Sequence, residues 1–348
     1  MNRKQVTLSD LAKELGISTA TVSRALKDYP DISADTKRRV VELANKWNYR
    51  PNTMAAGLRK RESKVIGVII PSIVNHFFSS VIEGIMEVAY DKDYRVMLCQ
   101  SNESHEKEVA DARALLSSRV DGLLVSLAHE TDRYDHFEEF VDLGVPVVFF
   151  DKVPPKPSYS TVVVDDFQGA YEAVSHLIGL GHRHIAHFRG PLLASTSRAR
   201  YEGYQKALAD HQIPFRDALV FPCVDISFEE GKTFAHRLLS EYQEVSALFT
   251  VTDTVAMGAC VSAKALGRRI PKDLSLVGFS NWFMSQVIEP PLSSVSQPSM
   301  EMGRRAAELL LKEIQAEKSH EEFEHENLIL PTELVIRASS DYRREPVA

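Results

Sequence analysis

The chain has only three cysteines, and no stretch of apolar residues approaches the roughly 20 needed to span a bilayer. Cys99, Cys223 and Cys260 are odd in number and widely spaced, with no CxxC pair and no histidine at zinc spacing. That pattern excludes a disulfide framework and a zinc finger and leaves reduced core thiols. The opening MNRKQVTLSDLAKEL carries charges where a secretory signal would be apolar, so a cytoplasmic protein with no membrane partner is expected. GxGxxG and GxxxxGK[ST] phosphate cradles and a GxSxG elbow are also missing. His182, His184 and His187 of GHRHIAH read as the start of a strand rather than a metal fragment. Asp165 and Asp166, if on a strand, would point to opposite faces. No catalytic group, metal site or cofactor is expected, and the chain is not read as an enzyme.

Its 348 residues are 44% hydrophobic and 26% charged, with 16 Gly and 16 Pro, the balance of a folded chain rather than a disordered or collagenous one. At that length two or three domains are expected. Charge is unevenly placed. Residues 1–64 hold 14 Lys/Arg against 7 Asp/Glu, a net of +7, and the remaining 27 against 41 give −14. A small basic module joined to a large acidic body suits a polyanion-binding head on a separate ligand-binding core.

In the basic part, Leu8, Leu11, Ala12 and Leu15 recur at helical spacing behind a capping Thr7, and Gly16 ends the run. Ser18 can cap a second helix, TATVSRAL, with Val22, Ala25 and Leu26 inward and Thr19, Ala20, Ser23 and Arg24 outward. A third helix from about Ala34 to Trp47 completes the core with Val40, Leu43, Ala44 and Trp47. Two short helices around a tight glycine turn make a helix-turn-helix. The outward residues are small or hydroxylic plus one arginine, which suits a major groove. The six residues Thr53 to Leu58 are too short to hold a helix alone. Leu58, beside Arg59, Lys60 and Arg61, has the make-up of a minor-groove wedge.

Beyond residue 64, KVIGVII, RVMLC, DGLLVSL, VPVVFF, TVVVD, HIAHFRG, SALFTV and LSLVGFS read as buried parallel strands alternating with helices. So many strands imply two doubly wound lobes. Ligands sit beyond the carboxyl ends of such strands, here Pro71-Ser72 with Asn75 to Phe78, Ser126, Asp151, Arg189-Gly190, Thr252-Asp253 and Ser280-Asn281. Phe77 and Phe78 either stack on a ligand ring or fold into the core.

VTLSDLAKELGISTATVSRAL, ISADTKRRV, YRPN and AAGL closely resemble the DNA-binding head of LacI/GalR family repressors. IGVIIPSIVNHFF, RVDGLLVS, HLIGLGHRHIAHFRGP, RRIPKDLSLVGF and PPLSSVSQP extend the resemblance from about residue 5 to 338. The resemblance implies a small all-α helix-turn-helix head (1–50), a hinge helix and linker (51–63), and an α/β body (64–342) of two doubly wound parallel-sheet lobes, periplasmic-binding-protein-like, type I. The body would bind an effector and dimerise, and 343–348 is a tail without leucine heptads. The first lobe is expected at about 64–164 and 294–326 and the second at about 165–290 and 327–342. The chain would cross near Asp165, Pro290 to Ser294 and Asn327.

By the same resemblance, Thr19, Ala20 and Arg24 would read bases. Thr7, Thr21, Ser23, Tyr49 and Asn52 would hold phosphates, and Ala55 and Leu58 would meet at the operator centre. The implied effector set is Ser72, Phe77, Phe78, Ser126, Asp151, Thr196, Arg200, Ile226, Thr252, Asp253, Ser280 and Gln297. Ile226 stands where purine-binding members place a stacking phenylalanine. GFSN puts Ser280 where the family usually has a carboxylate, and Thr252 replaces a common asparagine. The expected protein is a homodimeric, sequence-specific regulator of a pseudo-palindromic DNA operator, answering to a small molecule, a sugar before an anion. A protein corepressor is the other partner left open. A transporter's solute-binding protein and a sugar-modifying enzyme share only the body's architecture. Leu58→Ala is expected to weaken specific operator binding far more than nonspecific DNA binding; equal losses in paired titrations would remove the wedge role.

Overall fold

The computed structural model describes residues 6–49, 62–155 and 158–341. The chain divides after Ser63 into two compact units. In the first, α1 (Leu8–Leu15) starts from a reciprocal cap between Thr7 and Asp10 and stops at Gly16, whose φ of 66° is the left-handed conformation that ends helices. Ser18 accepts the Thr21 amide at 3.0 Å to start α2 (Thr19–Leu26), and Ser33 does the same for α3 (Ala34–Lys46). Leu11, Ala12, Val22, Ala25, Val40 and Ala44 form the buried core, with Leu43, Trp47 and Tyr49 packed at its margin. Asn52, Ala55 and Leu58 lie outside the described residues.

The second unit runs through β1 (Val65–Ile70), α4 (His76–Asp91), β2 (Arg95–Gln100), α5 (His105–Ser117), β3 (Gly122–Val125), α6 (Asp135–Asp142), β4 (Val147–Phe150), β5 (Ser160–Val164) and α7 (Asp166–Gly179). It continues with β6 (Ile185–Arg189), α8 (Ser195–Asp210), β7 (Val220–Pro222), α9 (Phe228–Glu241), β8 (Ala247–Thr250), α10 (Asp253–Ala265) and β9 (Ser275–Ser280). Then follow α11 (Met284–Val287), β10 (Ser293–Ser296), α12 (Ser299–Ser319), β11 (Asn327–Leu330) and β12 (Glu333–Val335). The strands form two six-stranded sheets, ordered β11-β5-β4-β3-β1-β2 and β12-β10-β9-β8-β6-β7. All pairings are parallel except that of β10 with β12. Helices cover both sheets, giving the two doubly wound lobes.

All eight apolar runs are strands, with two corrections. RVMLC is not buried: β2 is an edge strand paired only with β1, and Met97 and Leu98 stand 40% and 36% exposed. The lobe boundaries also move. Serine-rich β10 pairs with β9, Ser294 opposite Gly278, and so belongs to the second lobe. β11 pairs with β5, Asn327 opposite Thr161, and belongs to the first. The chain therefore crosses between lobes at Asp165, at Gln297-Pro298 and at Pro331-Thr332, because backbone pairing, not hydropathy, assigns these short strands.

Within each lobe a helix pair meets backbone to backbone. A Cβ on Gly84 would stand 2.1 Å from the Met300 carbonyl oxygen and one on Gly303 2.0 Å from that of Val81, joining α4 to α12. Gly231 and Gly258 do the same for α9 and α10, at 2.1 and 2.0 Å from the Val255 and Phe228 oxygens. Gly303→Ala is expected to destabilise the chain by about 1–3 kcal/mol despite alanine's better helix propensity, because the helices must move apart. Urea unfolding checks this; an unchanged or raised midpoint would refute the close-packing argument.

Candidate functional site

The outer face of α2 carries exposed Thr19, Ala20 and Arg24, with Thr21 and Ser23 half-buried. Arg24 forms an ion pair with Asp31 and lies 5.4 Å from the Tyr29 ring centre. Both partners of the pair are about half exposed, so it contributes little stability and the guanidinium is available to a stronger acceptor. The Thr7 and Thr21 hydroxyls already bond Asp10 at 2.7 Å and Ser18 at 2.8 Å. Burial raises the Tyr49 phenol above its ordinary value and keeps it a neutral donor. The face can donate to phosphates and base edges, with one half-exposed cation in its last turn.

In the second lobe, three adjacent strands, β8, β9 and β10, lead to Thr252, two residues past β8, to Ser280 at the end of β9, and to Gln297, the residue after β10. Gln297 is buried in a crossing segment where Nε2 has no partner among the described residues, and the Thr252 hydroxyl likewise has none among them. Ser280 adopts φ 102° and Asn281 φ 48°. The strain is held by Asn281, whose amide donates to Ser294 Oγ at 2.9 Å and whose Oδ1 accepts from Arg337 at 2.7 Å. Ile226, half-buried against the lobe core, also has a positive φ of 50°, a conformation rare for a β-branched residue. Such strain concentrates at functional sites.

Two expected effector residues are spoken for. Asp253 accepts the Trp282 amide and the Ser285 hydroxyl on one oxygen, at 2.8 and 2.6 Å, and the Ser294 hydroxyl on the other at 2.6 Å. It shapes the turn after β9 instead of presenting a free acceptor. Arg200 donates Nε to Asp166 Oδ1 at 2.7 Å and Nη1 to the Val251 carbonyl at 2.7 Å, and its guanidinium lies 3.7 Å from the Phe279 ring centre. Its charge is matched inside the protein. Strand alternation, which sets Asp165 and Asp166 on opposite faces, hides Asp166 in the sequence. In fact Asp165 caps α7 by accepting the Gln168 amide, and Asp166, its first residue, turns inward. Thr196, one turn before Arg200, is buried.

From the first lobe, Asp151 ends β4 at φ 58° and accepts the Ser126 hydroxyl at 3.2 Å. Phe77 and Phe78 are buried in that lobe's core, edge to face at 5.2 Å. Ser72 is half-buried after β1. The lobes touch where the Val153 amide donates to Ser195 Oγ at 3.1 Å and where the His76 and Phe283 rings meet at 5.8 Å. Of the GHRHIAH histidines, His182 bonds Ser246 before β6, His184 sits near Arg216, and His187 is stacked in the second-lobe core.

Burial raises the Asp151 carboxyl to about 6, against the lowering effect of Lys152. Unfolded aspartate titrates near 3.9, so between about pH 4 and pH 6 the folded chain holds this proton more tightly than the unfolded one. Stability contributed by the protonated form is therefore lost as pH rises through that window, roughly 3 kcal/mol in all. Asn tolerates a positive φ. Asp151→Asn is expected to be more stable than the parent at pH 7 and to show a shallower decline from pH 4 to 6.5; parallel urea-unfolding profiles would sink the assignment. Asp253, raised by burial to about 6, keeps some slope in both.

Residues 63–338 match the model for periplasmic binding proteins and the sugar-binding domain of the LacI family, and residues 7–52 that for bacterial regulatory proteins of the lacI family. Catabolite control protein A of Priestia megaterium is 33% identical over 308 residues, covering 88% of this chain and 92% of that protein. An HTH-type transcriptional repressor PurR of Haemophilus influenzae is 32% identical over 336 residues, 96% of this chain and 98% of that one. The lac repressor dimer bound to operator and the anti-inducer ONPF superposes with a TM-score of 0.84 at 28% identity, covering 97% of this chain and 99% of that one. Both halves of the architecture are matched in order over nearly the whole chain. The protein belongs to the LacI family of bacterial regulatory proteins: it is a DNA-binding transcriptional repressor with a ligand-binding body, not an enzyme.

Proposed function

We propose that the protein is a cytoplasmic repressor that binds a pseudo-palindromic operator as a homodimer and is controlled by a neutral sugar held between the lobes. The single observation that carries the ligand class is the uncharged polar set at three neighbouring strand ends. Thr252 and Gln297 each bury a hydrogen-bonding atom with no partner among the described residues, beside Ser280 in place of a carboxylate. Leaving such atoms unpaired costs on the order of 1–3 kcal/mol each, which a sugar hydroxyl recovers. Arg200, neutralised by Asp166, offers no free cation to an anion. Ile226 offers no ring for a purine to stack on. A relative of similar fold, with a TM-score of 0.74 at 26% identity and covering 97% of this chain, is described as a complex of the regulator CelR with cellobiose.

Control follows from the crossings. A ligand that touches Gln297 and Thr252 in one lobe and Ser126 or Asp151 in the other favours one angle between lobes about Asp165, Gln297-Pro298 and Pro331-Thr332. It can shift the equilibrium only by its difference in affinity for the two angles. In a twofold dimer the two α2 helices would lie in successive major grooves, one helical turn apart, with Thr19, Ala20 and Arg24 toward base edges. Segment 51–63 would couple lobe angle to operator binding.

The test is a thermal-shift screen of the full chain against neutral mono- and disaccharides, sugar phosphates, nucleosides and purines. A ligand at 100 times its dissociation constant stabilises by about 2.7 kcal/mol, a shift of a few degrees. Neutral sugars are expected to shift the parent, and Gln297→Ala and Thr252→Ala to lose the shift while melting normally. A response confined to phosphorylated or purine ligands would overturn the sugar assignment.

A further inference from the structure

A second group of chemically able side chains lies in the first lobe, separate from the polar atoms of the cleft. His105 opens α5 and Glu108 follows three residues later, so both lie on one face of the helix. His136, near the start of α6, meets them from the side. The donor atoms of the three all lie within 4.8 Å of one another. His136 Nε2 stands 3.1 Å from Glu108 Oε1, and the His105 and His136 rings are edge to face at 5.3 Å. We propose that His105, Glu108 and His136 form a binding site for a divalent first-row transition metal, of which Zn²⁺ is the representative ion.

Two independent observations carry this. The first is geometric. Zinc held about 2.0–2.1 Å from each ligand in a tetrahedron spaces its donors by about 3.3 Å. The His136–Glu108 separation of 3.1 Å already matches, and His105, half-buried at the first position of its helix, has a ring nitrogen within 4.8 Å of both. The second is electrostatic. Glu108 has no solvent exposure, yet among the described residues it has no lysine or arginine partner, only the His136 imidazole. Lys152 is committed to Glu103, both of whose carboxylate oxygens it reaches at 2.7 Å. A buried carboxylate whose one ion-pair partner among the described residues is an imidazole can take a bound dication in place of that imidazole's proton.

The carboxylate is also aimed as a metal ligand is aimed. The Ala128 amide donates to Oε2 at 2.7 Å and the Thr131 hydroxyl to Oε1 at 2.8 Å, while His105 Nδ1 lies 3.4 Å from that hydroxyl. Such outer contacts orient ligands and contribute to affinity. Two imidazoles and one carboxylate suit Zn²⁺, Co²⁺ or Ni²⁺ better than the hard cations Mg²⁺ and Ca²⁺, and leave a fourth position for water. The ion would fasten α5, α6 and the 128–131 loop together at the carboxyl end of the first sheet. The site makes no use of the cleft's polar atoms and does not depend on the ligand proposed there.

The experiment uses the full chain, stripped with a chelator and desalted, titrated with ZnCl₂ by calorimetry and with CoCl₂ by visible absorption. One ion per chain is expected, with a rise in melting temperature. His105→Gln and His136→Gln are each expected to lower Zn²⁺ affinity by about 100-fold, the upper end of what even outer contacts contribute. His184→Gln serves as a control that leaves it unchanged. Affinity unaffected in the double variant, or no Zn²⁺ bound by the parent, overturns the proposal. Should the variants fail to fold, zinc X-ray absorption of the loaded parent decides: two imidazoles and one carboxylate support the site, and fewer than two imidazoles overturn it.

Discussion

The buried pairing of Arg200 with Asp166 governs the inner face of the second lobe. Both side chains are about 6% exposed, and the guanidinium also takes the Val251 carbonyl and the Phe279 ring. One cation thus ties the first residue of α7, the middle of the first half of α8, the end of β8 and the face of β9 into one frame. Its net worth over an apolar replacement is small, but removing one partner leaves a buried charge unmatched, at a cost of about 3–5 kcal/mol. What it contributes is position. Thr252 and Ser280 can stand with unmet or strained polar groups only because the frame around them is fixed. Asp253 plays the matching part beneath, holding the turn after β9 against β10 through three hydrogen bonds.

These two anchors divide the polar residues of the cleft into those that hold the protein and those left for a ligand. Asp166, Arg200, Asp253 and Asn281 spend their hydrogen bonds internally. Thr252, Gln297 and Ser280 do not carry comparable internal networks. The division explains why a site lined by charged residue types can still favour an uncharged guest: the charges cancel before any guest arrives. Asp151 is the intermediate case, a buried carboxylate with one hydroxyl partner and a raised affinity for its proton.

Much of this was legible in the residues. The head's helices follow from Thr7, Ser18 and Ser33 as caps, Gly16 as a stop and apolar spacing between, all local signals. The long strands show as unbroken β-branched runs. Short β7, β10, β11 and β12 do not: SSVS and ELV carry little hydropathy, VFP and NLIL are only three and four residues long, and the places of all four depend on pairing with residues far along the chain. The same limit hid the site. Strand alternation misplaces Asp166, which opens a helix, and the partners of Asp253 lie 29 to 41 residues away. His105 and Glu108 share a helical turn that spacing could have shown, but His136 joins them only through the packing of α5 beside α6.

The interleaving of the lobes has a consequence for how the chain comes into being on the ribosome. The first lobe's hydrophobic core includes Met302, Ala306, Leu310 and Ile314 of α12, and its sheet includes β11. The second lobe takes its antiparallel edge strand from Glu333–Val335, and Ser339 caps its sheet through Leu276 and Ser293. A nascent chain that has emerged only to residue 290 therefore exposes an unfinished apolar face and lacks β10 beside β9 and β12 beyond it. Domains generally fold as units during synthesis, and such partial sheets are the species most prone to aggregate. Here the first lobe waits for β11 and the second for β12 and Ser339, so the two close almost together, and a chain stopped anywhere before Asn327 leaves neither lobe complete.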